Sequence, residues 1–177
     1  MTVERTDILI VGAGLAGARC AEALRAGGYD GRILVVGDEP HPPYERPALS
    51  KELLAGSRAA TELALREPGF WAANRIELRL GDALPSLQAL PAEETFDLAF
   101  VDADKTGYAA YVEELHARMR TNGLVLLDNT LRAGRVLDPQ TDDDRAIVAL
   151  NAALAADPRW ETVLLPVADG LTALRKR

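Results

Sequence analysis

Four residues have types and spacing suited to chemistry: Asp102, Lys105, Asp128 and Asn129. The first two close the segment Phe96-Asp97-Leu98-Ala99-Phe100-Val101-Asp102-Ala103-Asp104-Lys105, and the other two directly follow Leu124-Val125-Leu126-Leu127. Both apolar runs read as buried strands, and in open α/β sheets ligands sit beyond the carboxyl ends of strands. Two carboxylates and an amide make an all-oxygen set that suits a hard divalent ion such as Mg2+ and leaves positions open for substrate. Lys105, one turn beyond Asp102, is placed to take a proton from a hydroxyl that such an ion has acidified. Taken singly, each Asp reads better as a strand-end or helix-capping residue; as a set they point to metal-assisted proton removal.

A second constellation lies near the start. Asp7-Ile8-Leu9-Ile10-Val11 runs into Gly12-Ala13-Gly14-Leu15-Ala16-Gly17, a Gly-x-Gly-x-x-Gly spacing set between a strand and an Ala-rich helix that ends near Gly27-Gly28. Gly12 permits a tight turn, Gly14 lets a phosphate approach the backbone, and Gly17 lets helix and strand pack closely. The helix start offers amides to an anion. A second strand, Arg32 to Val36, ends at Gly37-Asp38-Glu39, where an acid can accept hydrogen bonds from ribose hydroxyls; Glu39 is the first choice and Asp38 the second. A merely compact βα turn is the alternative.

The elements that must carry these residues alternate between strand and helix. The seam Arg75-Ile76-Glu77-Leu78-Arg79-Leu80-Gly81-Asp82-Ala83 places Ile76, Leu78 and Leu80 on one side, as expected for a half-covered strand near a sheet edge. A helix is expected from about Glu62 to Asn74, with Phe70 and Trp71 as core packing, and another carries Tyr108, Tyr111, Leu115 and Met119. Asn122-Gly123 reads as a turn before the strand Leu124 to Leu127; a helix from Asp142 to Ala156 and strands Thr162 to Pro166 and Leu171 to Arg175 follow. At 177 residues and 48% hydrophobic, one core is the expectation.

The single cysteine, Cys20, excludes an internal disulfide and reads as a small buried residue; His41 and His116 read as surface residues. Acidity is uneven, with 10 basic and 11 acidic residues up to Gly81 and 10 and 16 beyond it. That balance argues against nucleic acid as a partner. The N-terminus shows no cleavage pattern and no run has membrane-span length, so a soluble, cytoplasmic protein without membrane contact is expected.

The Gly-rich turn and the run Pro43-Tyr44-Glu45-Arg46-Pro47-Ala48-Leu49-Ser50-Lys51 resemble the start of the FAD-dependent ferredoxin reductases that serve monooxygenase systems, over roughly residues 5 to 80. The resemblance implies FAD pyrophosphate on Gly12, Gly14 and Gly17, ribose on Glu39, and Arg46 and Lys51 along the flavin half. The second Gly-rich loop and nicotinamide domain that such a reductase should carry do not follow. Instead Phe96 to Lys105, Gly123 to Asn129, Gly134-Arg135-Val136 and Asp169 to Arg177 resemble the cation-dependent O-methyltransferases of the catechol and caffeoyl-CoA type. That resemblance implies a metal on Asp102, Asp128 and Asn129, Lys105 as base, and an adenine contact at Asp82-Ala83. Arg132 stands where the family usually has an aromatic residue, and Thr121-Asn122 where Pro-Gly is common.

The fold expected is a single Rossmann-like, doubly wound, mostly parallel α/β sheet over residues 1–177 in the order 3-2-1-4-5-7-6. Residues 1–75 form its reductase-like FAD-binding βαβ portion and residues 76–177 its O-methyltransferase-like portion. The resemblances imply an S-adenosylmethionine-dependent, Mg2+-assisted O-methyltransferase acting on a small phenolic substrate with vicinal hydroxyls, from a family in which a homodimer is common. The alternatives are an FAD or adenine-nucleotide binding module without turnover, and an inactive folded chimera.

Overall fold

The computed structural model describes residues 7–45, 48–93 and 95–177. Seven strands form one sheet: β1 Ile8–Val11, β2 Ile33–Val36, β3 Ile76–Arg79, β4 Phe96–Val101, β5 Met119–Asp128, β6 Trp160–Leu165 and β7 Leu171–Lys176. Their order is β3-β2-β1-β4-β5-β7-β6. The first five neighbours pair in parallel, and β7 joins antiparallel to both β5 and β6. β1 and β2 are buried along their whole length, as a central parallel sheet covered on both faces requires. The N-terminal unit and the rest of the chain therefore share one sheet.

The period of two divides each strand between two cores. Leu9 and Val11 face a large cluster with Leu34, Val36, Ala99, Val101, Tyr108 and Leu127, while Ile8 and Ile10 face a smaller one with Ile33, Val35, Leu65 and Trp71. Helices α1 (Leu15–Ala26), α2 (Phe70–Ala73), α3 (Ala83–Gln88), α4 (Tyr108–Arg118) and α5 (Asp142–Ala156) supply the covering layers. α1 and α2 lie on the smaller cluster, and α3, α4 and α5 on the larger. Beyond β4 the smaller cluster's side of the sheet opens: Leu124, Val163 and Leu165 share that face by register and are each more than a third exposed.

Several sequence expectations change. The helix expected from Glu62 to Asn74 is a 3-10 turn at Ala60–Glu62 and a single α-turn at Phe70–Ala73. Pro68 and Gly69, the latter at φ +88°, interrupt the run. Trp71 is buried and meets Phe70 edge-on at 5.3 Å between ring centroids, so the aromatic pair is core as expected. Met119 starts β5 instead of ending a helix, because the register with β4 shifts between Phe96 and Leu98 and takes Arg120 to Gly123 in as an irregularity. Arg120 pairs there with Asp97, and Asn122 sits at φ +68°. β3 is the edge strand expected, with Ile76 buried and Leu80 exposed. Cys20 is only half-buried, and burial pushes its thiol pKa up. His116 is half-buried and packs edge-on against Trp160; His41 is exposed.

Candidate active site

The carboxyl ends of the five parallel strands carry the residues singled out above other than Arg46 and Lys51, and backbone packing sets their spacing. Asp102 N donates to Val11 O at 2.8 Å and Gly12 N to Val36 O at 2.8 Å, so β2, β1 and β4 end level with one another. Gly12 has φ +114°, and a Cβ built on it would lie 2.0 Å from the carbonyl oxygen of Asp102. A Cβ on Gly17 would lie 2.0 Å from the carbonyl oxygen of Gly12. These two glycines are steric necessities of the turn. Gly14 differs: its backbone is extended, φ −74° and ψ −169°, and nothing lies within 4 Å of the Cβ position. It caps α1 without a side-chain hydrogen bond and borders open space, where a ligand can approach the backbone.

On the β2 and β3 side, Asp38 is exposed and Glu39 half-buried. The Tyr44 hydroxyl donates to Glu39 Oε2 at 2.6 Å, fixing the carboxylate at the strand tip. Tyr44 also edges a cavity of about 850 Å3, lined by Leu49, Leu63, Leu65 and Trp71 among others. Asp82 is the N-cap of α3, its side chain accepting from Leu84 N at 3.1 Å, and Ala83 is fully buried. Asp82 therefore has a capping role whatever else it contacts, and Ala83 can offer a ligand only its backbone. Lys51 is exposed on the one-turn π-helix Leu49–Leu53, and Arg46 lies outside the described residues.

On the β4 and β5 side, Val101 pairs with Leu127, so Asp102 and Asp128 extend from adjacent strand ends. Lys105, 8% exposed, directs Nζ to Asp102 Oδ1 at 3.2 Å and to the Tyr108 hydroxyl oxygen at 2.6 Å. Asn129 has φ +60°, and its backbone N–H donates to Asp128 Oδ1 at 2.7 Å. The left-handed backbone continues at Arg132 and Ala133, φ +53° and +52°, in the turn Arg132–Leu137. Strained non-glycine residues persist where neighbours over-determine them. Here Thr130 N bonds Gly170 O, Leu131 N bonds Asp169 O, and Arg132 and Arg135 both reach the buried Asp144.

Asp144 is a residue that patterning missed. It is fully buried at the start of α5, in a capping box with Thr141, and takes Nε of Arg132 and of Arg135 at 3.1 Å each. Burial pushes its carboxyl pKa up, but hydrogen bonds from Thr141, Arg135 and Arg132 outweigh that and hold it well below the usual carboxylate range. Asp104 was also passed over. Tyr111 donates to its Oδ1 at 2.5 Å and Thr106 to its Oδ2 at 3.2 Å, which fixes a third carboxylate beside Asp102. Burial, then the Asp104 carboxylate, pushes the Tyr111 phenol above the ordinary tyrosine range.

Among the described residues no group of three or more His, Cys, Asp or Glu side chains is placed to hold a metal ion. The set at the ends of β4 and β5 is different in kind, two carboxylates and one amide. Its donor chemistry fits a hard divalent ion, since Asp102 and Asp128 each keep an oxygen beyond the one engaged by Lys105 or by Asn129 N.

Sheet order and acidic strand ends are those of an α/β methyltransferase. The profile of the family described as O-methyltransferase matches residues 58–177, and the chain belongs to that family. Over 116 residues it is 44% identical to tricin synthase 2 of Oryza sativa subsp. japonica, covering 59% of this chain and 40% of that protein. It is likewise 44% identical over 115 residues to caffeoyl-CoA O-methyltransferase 2 of Zea mays, covering 58% of this chain and 44% of that one. The chain thus spans only 40% and 44% of the length of these two curated relatives. The crystal structure of an SAH-bound methyltransferase from Podospora anserina superposes with a TM-score of 0.70 at 27% identity, covering 97% of this chain and 72% of that one.

Proposed function

We propose that the chain is an S-adenosylmethionine-dependent, divalent-cation-assisted O-methyltransferase for a small phenol with adjacent hydroxyls. The observation that carries this is the charge along the strand ends. Segments 12–14, 37–39, 81–82, 102–105 and 128–129 hold six acidic residues and one basic residue, and that lysine is paired with Asp102. Such a rim favours a cationic sulfonium-bearing nucleotide and a divalent ion, and it opposes a pyrophosphate. The same charge disfavours FAD, although Gly12, Gly14, Gly17 and Glu39 have the spacing for either nucleotide. The SAH bound by the Podospora anserina neighbour supports this choice.

In this account Gly14 leaves room for the amino-acid end of the cofactor, Glu39 takes the ribose hydroxyls, and Asp82 and the Ala83 backbone flank the adenine. Asp102, Asp128 and Asn129 would hold the cation. When bound, the cofactor supplies an electrophilic methyl group and the cation acidifies a coordinated hydroxyl. Lys105 Nζ, as the neutral amine, would accept a proton from the acceptor hydroxyl, and the fixed strand ends would hold the reacting groups in place, where positioning contributes most of the rate.

We assign β1 and β2 to the reductase-like βαβ unit expected above over residues 1–75, but only up to residue 57, since the O-methyltransferase profile already matches from residue 58. The test is mass spectrometry of a catechol incubated with the protein, Mg2+ and S-adenosylmethionine. A singly O-methylated product that disappears when Mg2+ is chelated is expected; no product at high enzyme concentration overturns the assignment.

A further inference from the structure

Tyr108 has no assigned role, yet its hydroxyl has three polar partners at the candidate site. The side chain is fully buried at the first position of α4. Its hydroxyl lies 3.0 Å from Val101 O and 3.0 Å from Asp128 O, the backbone carbonyls at the ends of the two strands that carry the proposed cation ligands. At 2.6 Å from the same oxygen is Lys105 Nζ. The donors and acceptors settle the directions: the phenol has one proton, which it gives to the strand-end carbonyls, and its lone pairs accept from the lysine. Burial, then Asp102 and Asp128, push the phenol pKa above the ordinary tyrosine range, so it stays protonated.

We propose, on the strength of the methyl-transfer function given above, that Tyr108 is a positioning residue that aims Lys105. A lysine amine on four methylenes is otherwise free to swing, and each rotamer away from the acceptor lowers the fraction of competent complexes. Tyr108 and Asp102 take two of the three tetrahedral directions on Nζ. In the neutral amine the third carries the lone pair, which is left for the proton of the acceptor hydroxyl. Because the same phenol ties the ends of β4 and β5, the amine is held in register with Asp102 and Asp128. Periodicity marks Tyr108 only as an inward-facing helix residue, and none of this shows in the spacing of the motif.

The test uses Tyr108→Phe, which keeps the ring and removes the hydroxyl. The chain has three lysines, Lys51, Lys105 and Lys176, so acetylation by a water-soluble ester can be followed at each by peptide mass spectrometry. With the tether lost, acetylation of Lys105 speeds up severalfold relative to Lys51, and kcat for catechol methylation falls at least tenfold with KM for S-adenosylmethionine unchanged. A phenol that only clamps the two carbonyls would leave the labelling ratio where it is, and that result overturns the proposal. A faster Lys105 in a protein with no methylating activity upholds the tether and defeats the methyl-transfer function, so the two failures are separable. If Tyr108→Phe does not fold, side-chain ammonium signals of the 15N-labelled wild type decide. A persistent, slowly exchanging Lys105 signal that Lys105→Arg removes supports the tether, and its absence beside a visible Lys176 signal refutes it.

Discussion

Lys105 and Asp144 show how differently two charged residues can serve one site. Lys105 lies just beyond the end of β4 with its amine held by Asp102 and Tyr108, and in the role proposed for it its removal should be felt in turnover more than in folding. Lys105→Met is expected to lower kcat by about 10²–10⁴-fold, the range of a lost general base, with calorimetric affinity for S-adenosylhomocysteine retained. Asp144 touches no candidate ligand; it fixes the turn that follows Asn129 through Arg132 and Arg135. Because its folded pKa lies below that of the unfolded chain, the stability it contributes is present at neutral pH and is lost as the pH falls below the ordinary aspartate range. Asp144→Asn should therefore lower the unfolding midpoint at pH 7 and flatten its decline between about pH 5 and 2, measured by urea denaturation across pH.

At the scale of elements, the two glycines of the first turn predict opposite outcomes. Gly12→Ala combines a positive φ with a Cβ 2.0 Å from the Asp102 carbonyl oxygen, and each effect costs about 1–3 kcal/mol. It should lower the urea midpoint and displace Asp102, weakening nucleotide and cation binding together. Gly14→Ala meets open space in an ordinary conformation, so it should fold like the parent and lose affinity only for the cofactor. Calorimetry beside urea denaturation separates the two. The strands and their order were legible because short, continuous branched runs such as Ile8–Val11 and Ile33–Val36 suit central strands, and a glycine, Gly12 or Gly37, stops each run at the same end of the sheet. The segment from Glu62 to Asn74 was not legible. Its apolar spacing suits a helix, but Pro68 and Gly69 break it and Leu65 and Trp71 reach the core from a turn. Met119 was misplaced because apolar periodicity cannot mark where a helix yields to an irregular strand. The strand-end positions of Asp102, Asp128 and Asn129 were legible because a polar residue after an apolar run marks where the strand stops; the partners of Asp104, Asp144 and Tyr108 were not, since they are fixed only by folding.

For the whole molecule, the outcome that matters is one sheet. β1 pairs with β2 on one side and β4 on the other, so the glycine turn and the acidic strand ends lie along one edge of the sheet, where the proposed nucleotide crevice would be. Among the described residues no helix is long and apolar enough to cross a membrane. The cation proposed for Asp102, Asp128 and Asn129 should leave on chelation without unfolding the chain. EDTA is expected to abolish methylation while the far-ultraviolet circular dichroism at 25 °C is unchanged, and added Mg2+ should restore it. The central claim is that this crevice takes a sulfonium nucleotide. Calorimetric titration of the protein with S-adenosylhomocysteine and with FAD, side by side in Mg2+, tests it most directly. One-to-one binding of S-adenosylhomocysteine with none of FAD is the result predicted; saturable FAD binding with no heat from S-adenosylhomocysteine would contradict it.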